Sequence, residues 1–203
     1  MRILLGTPCI GDTCDTIYAN ALRATELPDG ATLEVRQIKG TSTANACEEL
    51  GQMTVEEGFD WLVLTSNDIG WRPDAIPRLL SHGKPIVAGW CMTRTPPHHI
   101  TVYRSYNTKD GLWEADDKVG TGLEQVVAAS GGFTAMRRDI FEKVPEPWFL
   151  FPWNPATRKS VSEDLHFCRT MRAHGLEIHV DWDVPLMHRS SSLATFMGQT
   201  VKA

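Results

Sequence analysis

"WLVLTSNDIGWRPDAI", residues 61–76, is the stretch on which the reading of this chain turns. Residues 61–64 are apolar whichever way they point, which suits a central strand of a parallel sheet covered on both faces. Ser66, Asn67 and Asp68 then form a polar tip, and Gly70 and Pro73 break the run. A helix is expected over 73–81, with Pro near its start, where a missing N–H costs little. This strand–turn–helix step puts Asp68 beyond the carboxyl end of a strand, where ligands of open α/β sheets bind. Two readings of the tip stay open. It is an Asx-type turn, or it seats a hard divalent cation whose shell is completed by waters and a diphosphate.

Outward from this stretch the same alternation recurs. A strand is expected over 2–5, ended by "GTPCIGD", then a helix over 16–25 and a turn at "LPDG". A second strand follows over 32–38, and a helix over 44–57 whose start is marked by Ser42, Thr43 and Asn45. "KPIVAGWCM" supplies another strand, 86–90. Strands and helices alternating over the first half predict an α/β sheet with helices on both faces and right-handed crossovers. The second half reads differently. Residues 99–106 and 111–115 form a hairpin joined by 107–110, and "LEQVVAAS" (123–130) is a strand. "FTAMRRDIFEKV" (133–144) is a strand turning into a short helix, and the Pro- and Trp-rich segment 145–160 is irregular. "SEDLHFCRTMRAHG" (162–175) is a helix with Ser162 as N-cap, acids in its first turn and Gly175 past its end. Residues 176–190 are a last strand and loop.

Composition narrows the class. A net charge of −5 gives no strong positive field for collecting nucleic acid or anionic membrane. No apolar run approaches the ~20 residues that cross a bilayer, and the N-terminus reads as a first strand rather than a signal peptide. The five cysteines are odd in number and show no zinc-ribbon spacing, so reduced thiols and a cytoplasmic location are expected.

Three further features carry possible chemistry. Glu163 and Asp164 open a helix, where acids complement the dipole; a carboxylate there also suits a general base acting on a hydroxyl. His188 ends the last strand beside Arg189, either as a hydrogen-bonded structural residue or as the nitrogen of a mixed metal shell. Gly131 and Gly132 are a strand kink or a place where a substrate approaches the backbone.

In order, these segments resemble glycosyltransferases of the GT-A fold, in particular small, single-domain, family-2-like members. "WLVLTSND" resembles the strand leading to the family's DxD motif, and "GKPIVAGWCMTR" the next strand with its basic residue, Arg94. "SGGFTAMRRDIFEKV" resembles the acceptor-side segment, "SEDLHFCRTMRAHG" the helix with the catalytic carboxylate, and "HRSS" the closing histidine. The resemblance implies one domain over 1–203, a mostly parallel Rossmann-like sheet flanked by helices with a small antiparallel part in the second half. Residues 1–95 would bind the nucleotide-sugar, and 96–203 the acceptor. It implies Asp68 and His188 as ligands of Mn2+ or Mg2+, Asp164 as base with Glu163 beside it, and inversion at the sugar. Thr7 and Pro8 would line the nucleotide pocket. Asn45, Ser66, Asn67, Arg94 and Arg189 would contact the donor, a UDP-sugar being favoured. Gly131, Gly132 and Trp153 would face the acceptor, which is a carbohydrate, a protein or a modified nucleobase, as in a phage-type DNA glycosyltransferase. Ser66 stands where the motif has its first Asp, and Ala44 where the family has an Arg; Arg94 or Arg189 would supply the missing cation. A non-catalytic nucleotide- or carbohydrate-binding protein of this fold and a nucleotidyltransferase are the alternatives.

Overall fold

The structure is a computed structural model and describes residues 1–9, 11, 13–107, 112–115 and 118–189. The first half runs β1 (Arg2–Cys9), α1 (Thr16–Ala24), β2 (Thr32–Lys39), α2 (Thr43–Glu56), β3 (Trp61–Thr65), β4 (Ile69–Gly70), α3 (Ala75–Ser81) and β5 (Ile86–Trp90). The hairpin strands β6 (Val102–Asn107) and β7 (Leu112–Ala115) follow, then β8 (Leu123–Val126), β9 (Ala128–Ala129), β10 (Phe133–Arg137) and α4 (Arg138–Lys143). The chain continues through β11 (Trp153–Asn154), β12 (Lys159–Ser160), α5 (Glu163–Ala173), β13 (Ile178–Pro185) and β14 (Met187–His188).

Seven strands make the central sheet, in the order β2-β1-β3-β10-β5-β13-β8. β1 is parallel to β2 and β3, and β13 to β5, while β10 runs against both its neighbours and β8 against β13. The mostly parallel α/β sheet with small antiparallel additions is therefore present. One detail differs from expectation. β3 has a parallel neighbour on one side and antiparallel β10 on the other, so its burial on both faces comes from the helix layers and not from all-parallel pairing. The two halves of the chain share this sheet, since β10 from the second half lies between β3 and β5 from the first.

Alternation along the strands sends side chains to two cores. Leu4, Leu62, Leu64, Ile86, Met136 and Val180 face α2, α4 and α5, whereas Ile3, Leu5, Trp61, Val63, Val87 and Ala135 face α1 and α3. Gly6 lets α2 lie close on β1: a Cβ there would come within 2.8 Å of the Leu50 methyls.

Local signals explain the element ends. Asp15 caps α1 by accepting from the Ile17 N–H, and Ser42 caps α2 by accepting from Asn45 N–H. Gly175, at φ +78°, stops the chain after α5. Three expectations shift. β1 runs on to Cys9, because its pairing with β2 carries through "GTPC". The 123–130 strand splits: β8 joins the main sheet, and β9 pairs with β6 in a separate sheet with β7. The segment 145–160, expected to be irregular, contains a small two-stranded ladder of β11 and β12. The hairpin of β6 and β7 is as expected, and its connecting turn lies outside the described residues.

Candidate active site

Two recesses open at the carboxyl ends of β1 and β3, and they share the wall formed by Pro8, Thr43 and Ser66. One is a polar trough of about 400 Å³, bounded by Asp15, Asn67, Asp68, Arg94 and Arg189. The other is a slot of about 170 Å³ between the sheet and α5, and Glu163 and Asp164 are its only charged lining side chains among the described residues.

The trough depends on a contact far apart in sequence. β14 pairs with β4, setting His188 opposite Ile69, and the Arg189 N–H donates to the Asp68 carbonyl at 3.0 Å. His188 thereby comes to the Asp68 carboxylate, Nε2 to Oδ2 3.5 Å, while its Nδ1–H donates to the Met92 carbonyl at 3.0 Å. Arg94 Nη1 lies 3.4 Å from the same Asp68 oxygen. Burial works to raise the Asp68 carboxyl, but the hydrogen bond and charge of His188 and the charge of Arg94 outweigh it and hold it below the usual range. Burial likewise opposes charge on His188, yet Asp68 and Cys91 lift that imidazole to about 10. Across the trough, Arg189 Nη1 pairs with Asp15 Oδ2 at 2.7 Å. Asn67 pins this side: its side-chain amide donates to the Thr13 carbonyl at 2.9 Å, and its own carbonyl accepts from the Asp15 N–H at 2.9 Å.

At the slot, the two acids differ sharply. Asp164 is held at both oxygens: it accepts from the Ser162 hydroxyl, from the Leu165 N–H at 2.7 Å, and from the Gly131 N–H at 3.1 Å. Ser162 does occupy the N-cap position, but its hydroxyl turns to Asp164 instead of a backbone N–H, and Asp164 satisfies the first turn in its place. Glu163 has no side-chain partner among the described residues beyond its own backbone N–H. Burial, and then the neighbouring Asp164 charge, push its carboxyl up to about 7. Gly131 contributes its N–H; a Cβ there would only touch the Asp164 Cβ, at 3.4 Å. Thr65 ties β3 to this segment by donating to the Gly132 carbonyl at 3.0 Å.

Sequence reasoning placed Ser66, Asn67, Asp68, Arg94, His188 and Arg189 at the donor side; all but His188 line the trough, with Pro8 in the shared wall, and His188 reaches it only through its contact with Asp68. Glu163, Asp164, Gly131 and Gly132 converge on the slot. Three residues lie elsewhere. Thr7 is fully buried, its hydroxyl 3.0 Å from the Tyr18 hydroxyl, because side chains alternate along β1 and Pro8 takes the outward position. Asn45 points to solvent, its amide donating to Thr41 Oγ1, and Thr43 lines the recesses instead. Trp153 stands on the β11 ladder, 63% exposed and outside both recesses. Asp15 and Phe149 were missed. Asp15 had a signal, as the N-cap after a Gly-bearing loop; Phe149 had none, since its place comes from the fold around α5.

For a divalent ion, Asp68 offers an oxygen, and His188 would offer Nε2 once the ion displaces the proton that Asp68 holds there. The bond from Nδ1 to a backbone carbonyl is the arrangement that orients Nε2 toward a metal. Among the described residues no group of three or more His, Cys, Asp or Glu could hold a metal ion. Two protein donors fit an ion that takes the rest of its shell from a substrate diphosphate and water, as Mg2+ commonly does.

No family model and no curated protein matches the chain by sequence. Solved structures do. A197 from STIV superposes with a TM-score of 0.70 at 16% identity, over 100% of this chain and 94% of its own. GalNAc-T7, solved with UDP, GalNAc and Mn2+, superposes at 0.63 and 10% identity, over 94% of this chain; the chain spans 44% of that longer protein. Among the described residues no helix is long and apolar enough to cross a membrane. At these identities the likeness is one of architecture, and the architecture of this chain is GT-A-like.

Proposed function

We propose that the chain is a glycosyltransferase that moves a sugar from a nucleotide-sugar, a UDP-sugar being favoured, to a hydroxyl acceptor with inversion. The observation that carries this reading is the shared wall of Pro8, Thr43 and Ser66, which sets the polar trough and the carboxylate slot side by side. The trough would hold the donor. Arg94 and Arg189 leave their ion pairs with Asp68 and Asp15 and donate charge-assisted hydrogen bonds to the diphosphate. Asp68 and His188 would hold Mn2+ or Mg2+, which when bound stabilises charge on the departing diphosphate as a Lewis acid. The sugar would then lie at the Ser66 junction with its anomeric carbon toward the slot.

We assign the role of base, expected on sequence for Asp164, to Glu163. Asp164 already accepts three hydrogen bonds, whereas Glu163, with no partner among the described residues beyond its own backbone N–H, has a carboxyl raised to about 7, close to the pH at which a general base works best. Glu163 takes the acceptor's proton. The acceptor oxygen bonds to the anomeric carbon as the bond to the diphosphate oxygen breaks, and the diphosphate leaves with the electron pair. Asp164 locks α5 to Gly131 and keeps the neighbouring carboxylate basic.

Incubation with a panel of nucleotide-sugars and Mn2+, followed by assay of nucleoside diphosphate, tests the reading. Release from one donor is expected. Pyrophosphate release from a nucleoside triphosphate would point to a nucleotidyltransferase. Absence of UDP binding by calorimetry, with or without Mn2+, would overturn the proposal. Binding without turnover would support a non-catalytic protein, the reading that Ser66 in place of the first Asp of the motif favours.

A further inference from the structure

Behind Glu163 the slot changes character. Leu64, Ile86 and Ala88 from the sheet form one wall, and Phe149 and Phe167 a second. The two rings stack on each other at 4.7 Å with 6° between their planes, so that side is aromatic carbon held in a fixed arrangement. Ile86 and Ala88 are fully buried, so the slot reaches into the hydrophobic core. Two hydroxyls along it already donate to carbonyls, Thr65 to Gly132 and Thr134 to Ser130. Thr43, Ser66 and Ser130 line the slot as well; a sugar seated against Leu64, Ile86, Ala88 and Phe167 would nonetheless bring hydroxyls against carbon, each at a desolvation cost. The whole slot, its polar part included, measures about 170 Å³, against the about 150 Å³ of an apolar cavity that accepts a benzene-sized molecule.

A second apolar feature lies outside the slot. The loop that begins at Phe149 and returns to Glu163 carries Leu150, Phe151 and Trp153, exposed by 41%, 45% and 63%. Both ends of this loop lie in the slot lining.

We propose that the slot is the acceptor subsite, and that it takes a phenyl-sized apolar group whose attached hydroxyl meets the Glu163 carboxylate. The acceptor is thus an aromatic alcohol, or a larger molecule ending in one, whose remainder lies along Leu150, Phe151 and Trp153. The subsite rests on the transferase reading for its role, though not for its ligand. The step keeps the balance given above: the aryl-bearing hydroxyl loses its proton to Glu163 and its oxygen displaces the nucleoside diphosphate.

Methyl NMR of the whole protein titrated with benzyl alcohol tests this. Saturable shifts of the Met136 and Ala129 methyls are expected, with none from D-glucose at the same concentration. Ala88→Leu, which fills the inner end, should weaken benzyl alcohol at least about tenfold, about 1.4 kcal/mol or more, and leave UDP affinity by calorimetry unchanged. Absence of saturable shifts in the wild-type protein, or an equal response to glucose, overturns the proposal. So does unchanged benzyl alcohol affinity in a folded Ala88→Leu protein. The two readings fail separately: UDP binding without benzyl alcohol binding removes the subsite and leaves the transferase, and the reverse result removes the transferase and leaves an apolar ligand site.

Discussion

Replacing Glu163 by Gln should stabilise the protein in mild base and do little in mild acid. The side chain is half-buried in the slot, and its carboxyl is raised from 4.5 to about 7 by burial and by Asp164. A carboxyl raised on folding binds its proton more tightly in the folded state, so unfolding releases that proton between the two values. Stability from this group is complete below pH 4.5 and falls as pH rises through 7. Each pKa unit corresponds to about 1.4 kcal/mol, so pH 5 to pH 8 removes about 2.5 kcal/mol, and solvent screening at a part-exposed site reduces this to about 1–2 kcal/mol. Gln has nothing to ionise and resembles the protonated acid. The Tm of E163Q minus that of the wild type should therefore rise from pH 5 to pH 8 by roughly 2–8 °C, at about 2–4 °C per kcal/mol for a chain of this size. Thermal melts by circular dichroism at both pH values measure it, and other carboxylates cancel in the difference. An equal Tm difference at the two pH values would refute a raised Glu163 and with it the case for that residue as base.

If turnover is found, its rate should rise with pH through about 7 as Glu163 loses its proton. Asp164→Asn should move that limb to lower pH, since the Asp164 charge is one of the two causes of the shift, and should lower the rate; an unmoved limb would separate the two acids. Asp68→Ala should abolish the Mn2+-dependent part of UDP affinity, and calorimetry showing it intact would take Asp68 out of the donor site. Away from the recesses, Asp181 is fully buried and accepts from Arg78 at 2.6 and 3.2 Å and from His82 at 2.7 Å. Asp181→Ala should destabilise by about 3 kcal/mol, the low end for a buried pair because Arg78 is 36% exposed. Burial opposes the Asp181 charge, but Arg78, His82 and the Asp183 N–H hold its carboxyl below 3.8, so its contribution is present above that value and is lost in acid. Chemical denaturation at pH 7 and pH 3 should show the variant's deficit shrinking at the lower pH.

Much of the architecture was legible because it is written locally. The runs 32–38, 61–64 and 86–90 have the length and burial of strands, and Ser42 and Ser162 mark helix starts by their position ahead of an apolar face. The ends of β1 and the split of 123–130 were not legible, because both depend on which strand lies alongside: β2 extends β1, while β13 and β6 divide β8 from β9. Thr7 and Pro8 show the same limit at one residue's resolution, since alternation assigns them opposite faces but the sequence does not say which face opens on the trough.

By itself, then, the sequence determined an alternating α/β chain with acids at a strand end and a helix start, since apolar periodicity and capping are nearest-neighbour physics. The tertiary structure decided how those acids differ. The β4–β14 pairing carries His188 across more than a hundred residues to Asp68. The approach of α5 to Gly131 engages Asp164 and leaves Glu163 in the slot with no other side-chain partner among the described residues. Hydrogen-bond partners and local dielectric set the chemistry of a carboxylate, and both are supplied by residues distant in the chain.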